Sequence, residues 1–163
     1  MPYTPILATL GYVFDESKQK VLLVHRNARG PTDSHFGKYN GLGGKLERDE
    51  DIVAGMKREL LEEAGITAEE LDLAGTISWP GFGKNGEDWF GFVFRITRFS
   101  GEVRQANDEG ELCWVDIENV MELPMWEGDR FFIPLVFEAI PRPFHGVMPY
   151  ADGKPTHWSV SKL

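Results

Sequence analysis

Three glutamates within one short stretch carry the densest chemistry in the chain: Glu59, Glu62 and Glu63, in the run Arg58-Glu59-Leu60-Leu61-Glu62-Glu63. On a helix each residue advances about 100°, so these carboxylates share one sector, while Val53, Met56, Leu60 and Ala64 share another. One face packs and the neighbouring face is acidic. Glu59 and Glu63 stand at i and i+4, where like charges cost roughly a few tenths of a kcal/mol unless something positive lies between them. A hard divalent cation fills that role. Mg²⁺ prefers carboxylate oxygens, retains several waters and binds together with substrate phosphates, so an acidic helix face following the glycine run Gly41-Leu42-Gly43-Gly44 suits a phosphate ester or diphosphate.

The elements that must position these side chains follow from periodicity and turn residues. Residues 5–14 and 20–25 predict two strands of a hairpin, joined through Asp15-Glu16-Ser17-Lys18. Residues 26–40, with Gly30, Pro31, Asp33, Ser34 and Gly37, predict a long loop. The clearest helix spans 49–64, and Gly65 is placed to end it. Strands are expected over 71–79 and 89–99, around the turn-rich stretch 80–86, and again over 111–115, followed by a helical turn over 116–123. A second helix is expected over 128–139 with Pro134 in its first turn, then a terminal hairpin of 144–150 with 156–160. Strands on both sides of helices predict a mixed sheet covered by helices, an α/β fold.

Composition bounds the partners. At 163 residues the chain suits one domain over 1–163, and 42% hydrophobic with 26% charged residues excludes both a disordered tail and a membrane protein. Seventeen basic against 26 acidic side chains leave a net charge of -9, which repels long nucleic acid. The single Cys113 excludes an intramolecular disulfide and any multi-cysteine metal site, and with no leader-like start the cytoplasm is the expected compartment. His25, His35, His145 and His157 are scattered without metal-ligand spacing.

Read from Gly44, the sequence GKLERDEDIVAGMKRELLEEAGI resembles the Nudix box residue for residue: Gly44, Glu50, Arg58, Glu59, Leu60, Glu62, Glu63, Gly65 and Ile66 fill every defined place. The resemblance implies an α/β/α sandwich with a mixed sheet, in which the box forms a loop–helix–loop that holds Mg²⁺ or Mn²⁺. It implies hydrolysis of a nucleoside diphosphate linked to another group. It makes Glu59, Glu62 and Glu63 metal-site residues, the Gly43 carbonyl an extra ligand and Arg58 a partner that orients the carboxylates. Glu59 is the favoured general base, and Glu109, in the turn before the strand of Cys113 and Trp114, is the second choice and a further metal-binding carboxylate.

Outside the box, Lys38 to Lys45, Cys113-Trp114-Val115, Pro124-Met125-Trp126-Glu127-Gly128-Asp129 and Phe144-His145-Gly146 are similar to segments of those family members that hydrolyse oxidised purine nucleoside triphosphates such as 8-oxo-dGTP. This implies that Asn40 hydrogen-bonds the base edge, Trp126 stacks on the purine, Asp129 reads its edge and Arg26 approaches the triphosphate. Trp79 would add a second aromatic wall. Those relatives carry two adjacent aspartates where this chain has Gly128-Asp129, and a lone carboxylate predicts a narrower set of oxidised bases. Other nucleotide substrates (dGTP, ADP-ribose, dinucleoside polyphosphates) and a non-catalytic nucleotide-binding module are the alternatives. The expected partner is a small nucleotide, with no stable nucleic-acid or membrane binding and a monomeric or homodimeric state.

Overall fold

The computed structural model describes residues 1–163. Its centre is a nine-stranded mixed sheet. The strands are β1 (Ile6–Phe14), β2 (Lys20–His25), β3 (Tyr39–Asn40), β4 (Leu42–Lys45), β5 (Thr67–Trp79), β6 (Trp89–Ser100), β7 (Glu111–Asp116), β8 (Phe144–Val147) and, after the short β9 (Tyr150–Ala151) and β10 (Lys154–Pro155), β11 (Ser159–Lys162). The main order is β11-β8-β5-β6-β1-β2-β3, with β4 paired to β1 and β7 to β2. β1 runs parallel to β6 and β5 parallel to β8, whereas the other pairs are antiparallel.

Side-chain alternation assigns the two faces. Tyr12, Phe14, Val21 and Leu23 join one core with Phe132, Ile133 and Val136, whereas Val13, Leu22 and Val24 join another with Met56, Leu60 and Ala64. Because β2 is buried on both faces, its Val21-Leu22-Leu23-Val24 reads as an unbroken apolar run. The two cores lie under α1 (Ile52–Ala64) and α2 (Asp129–Val136), which makes the architecture the expected α/β/α sandwich. No helix is long and apolar enough to cross a membrane.

α1 begins later than the 49–64 expectation. Asp51 is its N-cap, with Oδ1 accepting from the Val53 and Ala54 amides at 2.9 and 2.8 Å. Gly65 ends it in the left-handed region at φ 73°, as expected. Val53, expected on the packed face, is 39% exposed. Gly55 is buried instead: a Cβ there would collide with Leu46 Cδ2, so the helix seats itself close against the preceding loop.

α2 is shorter than 128–139, and Pro134 lies in its second turn rather than its first. The proline ring removes one helical N–H, and the helix stops at Val136, where the Arg95 guanidinium reaches in to donate to the Val136 and Glu138 carbonyls. The terminal hairpin forms between β8 and β11, Phe144 facing Lys162 and Val147 facing Ser159, with the small β9–β10 ladder at its tip.

Candidate active site

Two groups of side chains converge beside the stretch from β3 to β4. The first is acidic. β4 lies antiparallel to β1, with Gly43 opposite Leu10 and Gly44 opposite Thr9. A Cβ on Gly43 would collide with the Thr9 carbonyl, and one on Gly44 would come within 2.5 Å of Glu59 Oε1. Glycine at both places therefore lets the helix bring its carboxylates against bare strand backbone.

Glu59 is 9% exposed and accepts from Arg58 Nη1 at 3.0 Å. Arg58 also forks onto Glu50 at 2.8 and 2.7 Å, donates to Glu62 at 3.3 Å and reaches the Lys45 carbonyl at 3.2 Å. That bidentate grip holds the Glu50 carboxyl far below its ordinary range, at about 2. Burial pushes Glu63 the other way, well above the usual carboxylate range, and the neighbouring charges of Glu109 and Glu59 add to the rise. The Glu59 carboxyl beside it adds to the rise, and the Gly43 backbone opposes it.

Glu109 completes this group. Arg26 stands 3.4 Å and Arg29 3.9 Å from its carboxylate. Its turn is stapled to α1 by Asn107, whose Oδ1 accepts from the Glu109 and Gly110 amides at 2.9 and 3.2 Å and whose Nδ2 donates to the Glu63 carbonyl at 3.1 Å. Nothing in the local sequence shows that the other arm of Asn107 reaches α1, 44 residues away.

Glu59, Glu62, Glu63 and Glu109 line one cleft of about 390 Å³ with Arg29 and Arg104. Chemistry rather than volume locates it, since roomier clefts of about 600 and 770 Å³ lie around Phe14. No three of the carboxylates converge as a ready-made metal cage. The set nonetheless fits a divalent cation: crowded carboxyls, one driven to hold its proton, are what a positive charge would relieve, and Mg²⁺ uses few protein ligands beside water and phosphate.

The second group is aromatic and polar. Asn40 pairs with Val24 in the ladder of β3 on β2, and its Nδ2 is buried with no partner. An unpaired buried donor costs about 1–3 kcal/mol, which a hydrogen-bonding ligand would remove. The Tyr39 amide donates to the Pro124 carbonyl at 2.8 Å, which ties β3 to the segment carrying Trp126. Trp126 Nε1 donates to His35 Nδ1 at 2.8 Å, and Lys38 Nζ stands 4.4 Å from the indole centroid. Burial, with the Arg26 charge, lowers His35 to about 4, so the ring is neutral and free to accept that bond. His35 had no local signal either, being 91 residues from its tryptophan.

Trp79 lies over Gly91 and against Phe132, 6.2 Å between ring centres. Phe82 stands between it and Trp126, at 6.0 and 5.4 Å. Arg26 is buried between Asp33 at 3.3 Å and Glu109 at 3.4 Å, with its Nε unpartnered. The structure thus puts Arg26 on the acidic side and Asn40, Trp79, Trp126 and Asp129 on the aromatic side.

Asp129 opens α2, its amide bonded to the Trp126 carbonyl at 3.0 Å. The residue keeps some surface, but the carboxyl is enclosed, and burial raises it from 3.8 to about 7. A carboxyl raised on folding binds more protons in the folded state, so its stabilisation is complete below the unfolded value and is lost as pH rises towards the folded one. Wild-type melting temperature is therefore expected to fall between pH 4 and 7 by an amount that Asp129→Asn removes; identical pH profiles for the two proteins would contradict the burial of this carboxyl.

Fold and site together define a class of protein: an α/β/α sandwich with its acidic helix pressed against a glycine-bearing strand. Residues 4–136 match the family model for the NUDIX domain, and the chain belongs to the Nudix family. It is 35% identical over 102 residues to the oxidized purine nucleoside triphosphate hydrolase of Danio rerio and 30% identical over 102 residues to that of Mus musculus, each alignment covering 63% of this chain. The chain spans 64% of the length of these two relatives, a little under two thirds. The solved structure of the mutator MutT protein from Bacillus halodurans superposes with a TM-score of 0.82 at 30% identity, covering 96% of this chain and 97% of that one. Nudix hydrolases generally use divalent metals.

Proposed function

We propose that this chain is a Mg²⁺-dependent pyrophosphohydrolase of purine nucleoside triphosphates, oxidised ones such as 8-oxo-dGTP above all, releasing the monophosphate and pyrophosphate and so clearing damaged nucleotides. The observation that carries this reading is the span from Asn40 to Gly43. Three residues of extended chain cover about 10 Å, so one continuous segment offers an unpaired amide to a base at one end and an acidic, glycine-cradled cleft to phosphates at the other. Similarity to the two oxidised-purine hydrolases supports the purine assignment.

Glu59, Glu62, Glu63 and Glu109, with the Gly43 carbonyl, would hold Mg²⁺, or Mn²⁺ in its place. A bound divalent ion supplies charge neutralisation at the phosphates and a more acidic water. The chain's own groups do the rest. Arg58 fixes Glu59 and draws Glu62 to the rim of the cleft. Glu59 takes the proton from the attacking water, with Glu109 as the second choice, held by Arg26 and Arg29 until substrate arrives. Arg26, with one guanidinium nitrogen unpartnered, meets the triphosphate. Asn40 and Asp129 read the purine edge while Trp126 stacks on it and Trp79 stands behind Phe82 as the further wall. The protein acts as one domain in the cytoplasm, as a monomer or homodimer, without stable nucleic-acid binding.

The test is parallel release of pyrophosphate and monophosphate from 8-oxo-dGTP, 2-hydroxy-dATP, dGTP and ADP-ribose, with Mg²⁺ and with chelator. A large kcat/KM preference for an oxidised purine triphosphate, abolished by chelation, is the expected result. Preference for ADP-ribose would discard the base-reading roles, and comparable turnover of 8-oxo-dGTP and 2-hydroxy-dATP would overturn the narrower base range expected from Gly128.

A further inference from the structure

The base-side group contains a residue that no sequence pattern singled out. Tyr150 stands in β9, beyond the stretch matched by the family model, and is 7% exposed. Its amide donates to the Pro80 carbonyl and that of Met148 to the Ser78 carbonyl, both at 2.8 Å, which stitches this segment along the end of β5. The ring lies edge-on to Phe82 at 4.9 Å and to Trp126 at 6.4 Å. At its far end the phenol meets Gly128: a Cβ there would collide with the Tyr150 hydroxyl and Met148 Sδ and come within 3.2 Å of Tyr150 Cζ. Residue 128 has no room for a side chain, because the phenol fills that space beside Asp129.

The state of this hydroxyl is defined by its surroundings. Burial, then the Asp129 charge, push its ionisation far up, so it keeps its hydrogen at any working pH. The Gly128 backbone lies beside the phenol oxygen, and no side chain or carbonyl takes the hydroxyl hydrogen. The hydroxyl hydrogen is left to donate.

We infer that Tyr150 is a specificity-determining residue of the base pocket, whose hydroxyl donates to the 6-oxo group of a purine while Asp129 accepts from the adjacent N1–H. The inference rests on the purine triphosphate reading above and names its substrate class: 6-oxopurine nucleoside triphosphates. A 6-oxopurine presents an acceptor at position 6 beside its N1–H, whereas a 6-aminopurine presents a donor at position 6. With Asp129 ionised, above about pH 7, a phenol and a carboxylate match the first and leave buried groups unpaired against the second. Two neighbouring carboxyls could exchange one proton and invert that pattern, and a phenol in place of one of them cannot.

The experiment compares kcat and KM for 8-oxo-dGTP and dGTP against 2-hydroxy-dATP and dATP in the wild type, Tyr150→Phe and Gly128→Ala, with Mg²⁺ at a pH well above 7, where Asp129 is ionised. Wild type is expected to favour the 6-oxopurines by at least about tenfold, the scale of one mismatched hydrogen-bond pair. Tyr150→Phe is expected to raise KM for them by about fivefold or more, change kcat far less and narrow the preference, as one lost hydrogen bond dictates. Gly128→Ala, which drives a methyl against the phenol, is expected to narrow it in the same way and decides the matter if Tyr150→Phe does not fold. Equal turnover of both classes by the wild type, or variants that keep its preference, overturns the role of Tyr150. A wild type that hydrolyses no purine triphosphate overturns instead the functional reading beneath it.

Discussion

Glu63→Gln is expected to lower turnover of any nucleotide substrate by at least about tenfold, the scale on which misplaced metal ligands or bases act. The amide keeps the volume of the carboxyl but surrenders an ionisable oxygen, in the cleft it shares with Glu59 and Glu109. The same substitution is expected to leave the melting temperature of chelator-treated protein equal to or above that of the wild type. Without a cation, the native carboxyl must take up a proton to fold into place, and a neutral amide avoids that cost. Loss of activity without loss of stability would separate a metal-site role from a packing role. Wild-type turnover in Glu63→Gln would remove this residue from the site, and a cooperative loss of fold by circular dichroism would make it structural.

Trp126→Ala is expected to raise KM for purine triphosphates by about fivefold to a hundredfold, from the roughly 1–3 kcal/mol that base–aromatic stacking contributes. The indole is only half-buried, held at its edge by His35 at 2.8 Å and flanked by Lys38 and Phe82, so its removal trims the rim of the core near Met125 rather than its centre. The melting temperature should shift by no more than a few degrees, and kcat at saturating substrate should fall much less than KM rises. Global unfolding, or an unchanged KM, would return Trp126 to an ordinary packing role. Because His35 orients the ring from loop 26–40, His35→Ala would be expected to reproduce part of the KM effect without removing any stacking surface.

Much of the site was legible because it is local. Glu59, Glu62 and Glu63 sit on one helix, their spacing fixes their angular relation, and Gly43 and Gly44 precede them by too few residues to be far away. The limits of the elements were less so. Val53 matched the apolar period yet stays exposed, since the close seat of Gly55 on Leu46 turns the helix away from it. Pro134 was expected in the first turn of α2, and the helix accommodates it in the second because Arg95 caps the carbonyls at the early end that follows.

The acidic helix, the Gly65 that ends it and the alternating strands of a two-faced sheet are readable from residue order alone, because each depends on contacts or dihedral preferences within a few residues, whereas the N-cap at Asp51 and the strand formed by the glycine run are not. Which distant groups meet them depends on how the whole chain folds. Asn107 joins the Glu109 turn to α1 across 44 residues, His35 reaches Trp126 across 91, and the Tyr150 phenol arrives from the last strands to close the space beside Gly128 and Asp129. Such meetings are set by strand order and by the packing of a whole sheet between two helices, a property of all its residues at once and of no local stretch of them.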